Sequence, residues 1–258
     1  VSTNIVIVTY NSSKTIKKCI DSILNNFSRN TKITVVDNNS RDSTLNILEN
    51  FKDSIFVVKN KKNIGFSAGV NKGLDMSVKY NILLNPDTIV FKGWIKGLIS
   101  KFDEFSNVAA VGPISNYGAS NQNIRNYYDD NEIHHLSNNP EKINENILLN
   151  LLFRYSEPVI SKLLNGFCMA ISTDALNKIG CLDEELFLGN NDLDISWKFQ
   201  LNGLKTIIAT DVFVFQKGQV SFKNDKKKKT DELVQSSTDI LNNNLINHYG
   251  ENNVPTPK

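Results

Sequence analysis

At 258 residues the chain can bury a sizeable core, as one large domain or one and a half, and 40% hydrophobic with 22% charged residues is ordinary for a globular protein. The net charge of +2 gives no footing for nucleic acid, and no such partner is expected. Cys19, Cys168 and Cys181 show no C-x-x-C spacing, which predicts buried free thiols in a reducing compartment, not a disulfide frame or a zinc site.

In chain order the first predicted element is a strand, "NIVIVTY" (4–10). Ser12 or Ser13 then caps a helix whose stripe is Ile16, Ile20, Ile23 and Leu24. "ITVVDNNS" (33–40) predicts a second strand, and Ser40 or Asp42 starts a helix through Leu45, Ile47, Leu48 and Phe51. After a third strand, "SIFVVKN" (54–60), Ser67 opens a helix with Val70, Leu74 and Val78. Gly69 and Gly73 weaken that helix by about 1 kcal/mol each relative to Ala. A fourth strand, "YNILLN" (80–85), and a weaker fifth, "VAAVGP" (108–113), complete the series. Continuous apolar runs of this kind belong to parallel strands covered on both faces. Their alternation with helices predicts a doubly wound α/β sheet, whose ligands sit at the C-terminal strand ends.

From 117 to 146 the chain is rich in Asn, Asp and Glu, carries His134 and His135, and has little periodicity. A stretch that long without clear structure is functional or mobile. Residues 141–155 read as an amphipathic helix, and 163–222 as a second folded stretch. Lys226 to Lys229 form a basic run, either plainly solvated or facing anionic lipid headgroups. The helix predicted over 231–248, with Leu233, Ile240, Leu241 and Leu245, folds back on the core or pairs with another domain or subunit. Trp94 reads as core packing, and the heavy use of asparagine as compositional bias. No apolar run nears the roughly 20 residues needed to cross a bilayer, and the N-terminus is unlike a signal peptide. A cytoplasmic location is expected, at most on the inner face of a membrane. The opening at Val1 and the tail "NNVPTPK" suggest a segment of a longer protein.

Three places carry acids in a suggestive setting. Asp37 ends the second strand, and Asp87 follows the fourth in "LLNPDT", where Pro86 must stop the ladder because it lacks an N–H. Asp37 could accept from a base N–H, and Asp87 could hold a divalent cation against a diphosphate. Asp192 and Asp194 open a helix predicted over 193–201; being two apart they cannot share a face, so they need different roles. One could be a general base while the other supports the helix N-terminus. Taken singly, each of these acids reads better as a turn or cap residue than as a site residue.

Taken together they resemble a known family. "IVIVTYNS", "VVDNNSRDST", "NIGFSAGVNKG", "ILLNPDT", "LNGFCMAIS", "GCLDEELFLGNNDLDISWKFQLNG" and "VFVFQKGQVSF", in this order, resemble the inverting glycosyltransferases of family 2, in particular their rhamnosyltransferase-like branch. The resemblance implies a GT-A nucleotide-diphospho-sugar transferase fold over 1–222, with an acceptor-side insertion at about 117–160 and a C-terminal extension, 223–258. It implies transfer of a sugar from a UDP- or TDP-linked donor to a hydroxyl of a glycan, lipid-linked or protein acceptor, in bacterial surface-glycan or glycoprotein assembly. By position, Thr9, Tyr10, Asn11, Asp37, Asn39, Asn63, Gly65 and Asn71 would border the nucleotide. Asp87 and Gln216 would hold Mn²⁺ or Mg²⁺; Asn85, Asn165, Gly166, Asn191 and Trp197 would frame donor and acceptor; and Asp192 would be the catalytic base.

Three positions depart from that pattern. Asn85 replaces the first acid of Asp-x-Asp, Asn191 the acid before the base, and Gln216 a frequent histidine. Asn85 and Gln216 bring metal dependence itself into question, with weakened or altered metal use standing level with ordinary use, and Asn191 is a charge lost beside Asp192. Two other functions fit less of the chain: a nucleotidyltransferase, whose Gly-rich phosphate loop "TYNSSKTIKKC" lacks, and a degenerate GT-A module that binds without turnover.

Overall fold

The computed structural model describes residues 2–26, 30–117, 121–134, 136, 140–154, 157–218, 227–251 and 253–254. His135, Lys226, the "QVSF" that closes the last quoted motif and most of the C-terminal tail lie outside them.

The run "IVIV" explains the architecture. It lies in β1 (Thr3–Thr9), whose side chains alternate between faces. Ile5 and Ile7 enter one apolar cluster, with α1 (Ile16–Asn25) and α2 (Thr44–Glu49). Val6 and Val8 enter another on the opposite face, which includes Val70 of α3 (Phe66–Gly73). A strand apolar on both sides is therefore buried on both sides. β2 (Thr31–Asp37) and β4 (Tyr80–Leu84) flank β1, all parallel, and β3 (Phe56–Lys59) pairs with β2. At β3 the two-sided burial fails: it is the sheet edge, and Phe56 is 59% exposed.

Beyond β4 come β5 (Thr88–Val90), α4 (Trp94–Glu104) and β6 (Val108–Ile114). The middle segment holds α5 (Asp130–Ile133) and α6 (Glu145–Arg154), then β7 (Val159–Ser161). β8 (Cys168–Ser172), α7 (Thr173–Ile179), α8 (Asn191–Leu201), β9 (Lys205–Gln216) and α9 (Lys227–Tyr249) complete the chain. The nine-stranded sheet runs β3-β2-β1-β4-β8-β6-β9-β5, with β7 on β9. β8 enters antiparallel between β4 and β6, while β6 and β9 are parallel.

Several boundaries differ from expectation for local reasons. α1 starts at Ile16 without a side-chain cap; the Ser12 carbonyl accepts from both Thr15 and Ile16 N–H at 3.0 Å. α2 starts at Thr44, whose N–H donates to Asp42 Oδ1 at 3.0 Å. α3 follows Gly65, not Ser67, and ends at Gly73, so Leu74 and Val78 lie beyond it. Gly69 and Gly73 are the price of close helix–sheet packing: a Cβ at either would stand 2.8 Å from Val8 Cγ1 or 2.5 Å from Val6 Cγ1. α6 starts at Glu145 because 140–142 form a separate 3₁₀ turn. Cys19 and Cys168 are buried, as expected, but Cys181 is exposed. Trp94 is buried in the core. α9 folds back on the chain, with Leu241 buried. Among the described residues no helix is long and apolar enough to cross a membrane.

Candidate functional site

The residues after Leu84 form a turn that changes the chain's partner strand. β4 pairs with β1 and β8, but β5, starting at Thr88, pairs antiparallel with the end of β9. That pairing sets Thr88 opposite Gln216 and carries Asp87 alongside it. The turn is pinned from three sides. Asn85 N–H donates to the Phe167 carbonyl at 2.8 Å, Thr88 Oγ1 donates to the Asn85 carbonyl at 2.8 Å, and Cys19 Sγ lies 3.6 Å from that carbonyl. Burial pushes the Cys19 thiol up to about 12, so it stays protonated beneath the turn.

Asn85, Pro86, Asp87 and Gln216 line a crevice of about 430 Å³, within the range of small-molecule sites. Burial holds the Asp87 carboxyl above its ordinary range; its own backbone N–H, that of Gly218 and the charge of Lys217 oppose the shift. Tyr10, Asn63 and Gly65 line the same space. Asn63 Oδ1 accepts from Gly65 N–H at 2.9 Å and bends the chain into α3. Gly65 has φ +88°, and a Cβ there would meet the Phe187 carbonyl at 2.8 Å. Its bareness thus serves Phe187, whose carbonyl accepts from Phe66 N–H at 2.8 Å.

Thr9 and Asp37 close β1 and β2 side by side in register and are buried. They lie beside the crevice, which Asn38 lines. Asp37 Oδ2 accepts from Ser40 N–H at 3.0 Å, while Asp37 Oδ1 and Thr9 Oγ1 are buried without a partner among the described residues. Asn11 and Asn39 take left-handed backbone, φ 52° and 63°. Asn11 Oδ1 accepts from Arg41 N–H at 2.8 Å, tying the β1 and β2 loops together.

Asp192 is not among the residues that line this crevice. It stands in the first turn of α8, with Oδ2 accepting from Gly166 N–H at 3.1 Å and Oδ1 from Leu193 N–H at 3.0 Å. Gly166 precedes Phe167, the acceptor of Asn85 N–H, so Asp192 and the Asp87 turn are tied to the same entry into β8. Asn165 N–H, one residue earlier, donates to Gln122 Oε1 at 2.6 Å. Asp194 has the separate role its spacing demands: it is buried, 2.7 Å from Lys198 Nζ, and burial raises its pKa against that cation.

Three further expected site residues are engaged by the protein itself. Asn71 donates to the Leu182 carbonyl and to Glu184 Oε1 and accepts from Leu182 N–H, clamping the chain before Phe187. Asn191 is buried and donates to Ser67 Oγ and, at 2.7 Å, to the Leu186 carbonyl. Trp197 Nε1 donates to Tyr249 Oη at 3.1 Å, and its ring meets His248 edge-on at 5.5 Å. Conversely, Tyr117, Phe187, Leu188, Lys229, Thr230 and Leu233 line the crevice without having been expected there. Phe187 and Leu188 lie inside a quoted motif, whereas Lys229 sits 142 positions after Asp87 and no spacing could place it.

The sequence profile described as glycosyl transferase family 2 matches residues 4–180, over half the chain. The chain belongs to that family. An uncharacterised glycosyltransferase of Haemophilus influenzae is 30% identical over 113 residues, covering 42% of this chain and 35% of its own. One of Rickettsia prowazekii is 26% identical over 197 residues, 76% of this chain and 58% of its own. The glycosyltransferase GlyA of Streptococcus pneumoniae matches at 29% over 48% of this chain, only 18% of its own length. This family 2 chain therefore corresponds to part of the length of these relatives.

Solved structures share its GT-A fold at low identity. The mannosyltransferase PcManGT of Pyrobaculum calidifontis, in complex with GDP-Man and Mn²⁺, matches with TM-score 0.63 and 14% identity over 94% of this chain and 74% of its own. GalNAc-T7 with UDP, GalNAc and Mn²⁺ matches at 0.61 and 15%, over 91% and 47%.

Proposed function

We propose that this family 2 chain is an inverting glycosyltransferase domain that moves a sugar from a UDP- or TDP-linked donor to a hydroxyl acceptor. The observation that carries the reading is the β5–β9 pairing, which sets Asp87 and Gln216 in one crevice with Asn85 and Tyr10 at the C-terminal strand ends. Beside it, the unpartnered oxygens of Asp37 and Thr9 offer acceptors to a pyrimidine N–H.

A hard cation fits the donor set, which is all oxygen: the Asp87 carboxylate and the Asn85 and Gln216 amides. No cluster of three His, Cys, Asp or Glu side chains suited to a metal exists among the described residues, and a cation there would take further oxygens from the donor diphosphate and water. Bound there, Mn²⁺ or Mg²⁺ would supply countercharge to the leaving diphosphate.

Asp192 acts as the base. Its carboxylate takes the acceptor hydroxyl proton as that oxygen attacks the anomeric carbon. The bond from that carbon to the diphosphate oxygen breaks, its electron pair leaves with the nucleoside diphosphate, and configuration inverts. Gly166 N–H orients one Asp192 oxygen for the task.

The competing reading is a module that binds without turnover, favoured by the neutral Asn85, Asn191 and Gln216 where the resemblance implies acids and a histidine. A thermal-shift panel of UDP-, TDP- and GDP-sugars with and without Mn²⁺, followed by assay for released nucleoside diphosphate, separates the two. Stabilisation by a pyrimidine donor together with release supports the transferase; stabilisation without release or transfer from any donor supports the module.

A further inference from the structure

One wall of the crevice comes from outside every quoted motif. Lys229, Thr230 and Leu233, at the start of α9, line the space that holds Asp87 and Gln216. Lys229 and Leu233 are four apart and so share a helix face. The helix is anchored further along: Ser237 Oγ accepts from Leu188 N–H at 3.2 Å, Thr238 Oγ1 accepts from Asn190 Nδ2 at 2.8 Å, and Tyr249 accepts from Trp197. Lys229 is thus presented by a docked helix.

The charges in the crevice need such a group. Among the described residues Asp87 is the one carboxylate that lines it. A nucleoside diphosphate adds about two or more negative charges beside that carboxylate, a like-charge arrangement that costs free energy unless cations balance it. Gln216 contributes no charge. Lys229 is exposed and makes no ion pair among the described residues, so its ammonium is available.

We propose that Lys229 is a donor-site residue whose ammonium binds the diphosphate of the nucleotide-sugar and stabilises it as it leaves, with the Thr230 hydroxyl as a second hydrogen-bond donor. The inference rests on the transferase reading and gives the C-terminal helix a part in it. As the anomeric carbon–oxygen bond breaks, the electron pair arrives on the diphosphate oxygen, and the lysine offsets that charge without giving up its proton.

Calorimetric titration of the parent chain, Lys229→Ala and Lys229→Arg with UDP and UMP in Mn²⁺ tests this. A charge-assisted contact is worth about 1.5–3 kcal/mol, so Lys229→Ala should bind UDP roughly 10- to 100-fold more weakly. Its UMP affinity should change by less than about twofold and its melting temperature should hold, while Lys229→Arg keeps most of the UDP affinity. Equal UDP binding by parent and Lys229→Ala would overturn the assignment; if that variant also lost binding to phosphatidylglycerol vesicles, the lysine belongs to a membrane-facing basic run. A parent that binds neither UDP nor TDP would remove the transferase reading itself, and this inference with it.

Discussion

Asp87 shows how a carboxyl proposed for the site can be costly to the fold. Its pKa is raised in the folded chain, so the folded state holds its proton more tightly than the unfolded one. The associated stability is present below the ordinary value of 3.8 and is lost as pH rises through the folded pKa. At neutral pH the ionised group therefore destabilises the protein. Asp87→Asn should raise the melting temperature at pH 7, each kcal/mol relieved giving about 2–4 °C in a chain of this size. The gain should shrink as pH falls toward 3.8, which scanning calorimetry across that range would show. A variant less stable than the parent at pH 7 would mean that the acid is compensated within the fold. Asp192 makes a different prediction. Asp192→Asn should lower turnover by about 10²–10⁴-fold and leave UDP affinity within about twofold; near-parental turnover would remove its role as base. Asparagine at this scale proves to be structure as well as composition. Asn4 donates to the Gly73 carbonyl and Asn81 Oδ1 and accepts from Thr34, while Asn38 joins Asn60 to the Gly65 carbonyl. Such buried amides persist because each is satisfied, and their partners lie up to 77 residues away. That separation is why composition could not reveal them.

Elements differ in how far the sequence discloses them. The strands that surround the site were legible because their apolar runs and stop signals are local: β4 ends before Asn85-Pro86, as a residue without an N–H requires. α3 was read too long because its end is set by tertiary contacts: the Gly73 carbonyl accepts from Asn4, 69 residues away, and the Asn81 amide bonds the backbone of Asp75. Gly65→Ala would force a side chain both into φ +88° and against the Phe187 carbonyl. It should destabilise by about 1–3 kcal/mol and weaken UDP binding as well, measured by denaturant titration and calorimetry; a stable variant with parental affinity would show that the 187 segment is not a wall of the site. α9 was legible as a helix, with folding back on the core one of two expectations, but its docking partners were not, because Ser237, Thr238 and Tyr249 are polar residues with no periodic signature. Tyr249→Phe removes the acceptor for Trp197 Nε1 and should cost about 0.5–1.5 kcal/mol. An unchanged melting temperature would mean that this end of α9 contributes nothing to docking.

Across the whole molecule, topology performs the assembly. β8 inserts antiparallel next to β4, bringing Gly166 and so Asp192 toward the Asp87 turn, while β9 returns along β5 to deliver Gln216. The motif order foretold the family and the fold but not this geometry. Asp192 stands outside the crevice that Asp87 lines, joined to it through Gly166 and Phe167, and Asn71, Asn191 and Trp197 serve the packing around it. The central claim is that Asp87 holds a divalent cation against a nucleotide diphosphate in that crevice. Calorimetric titration of UDP into the parent and into Asp87→Ala, each with and without Mn²⁺, tests it most directly. The parent should bind at least about tenfold more tightly with Mn²⁺, a difference of about 1.4 kcal/mol, and Asp87→Ala should show no response to the metal. A parent indifferent to Mn²⁺, or a variant that responds as the parent does, would contradict the account.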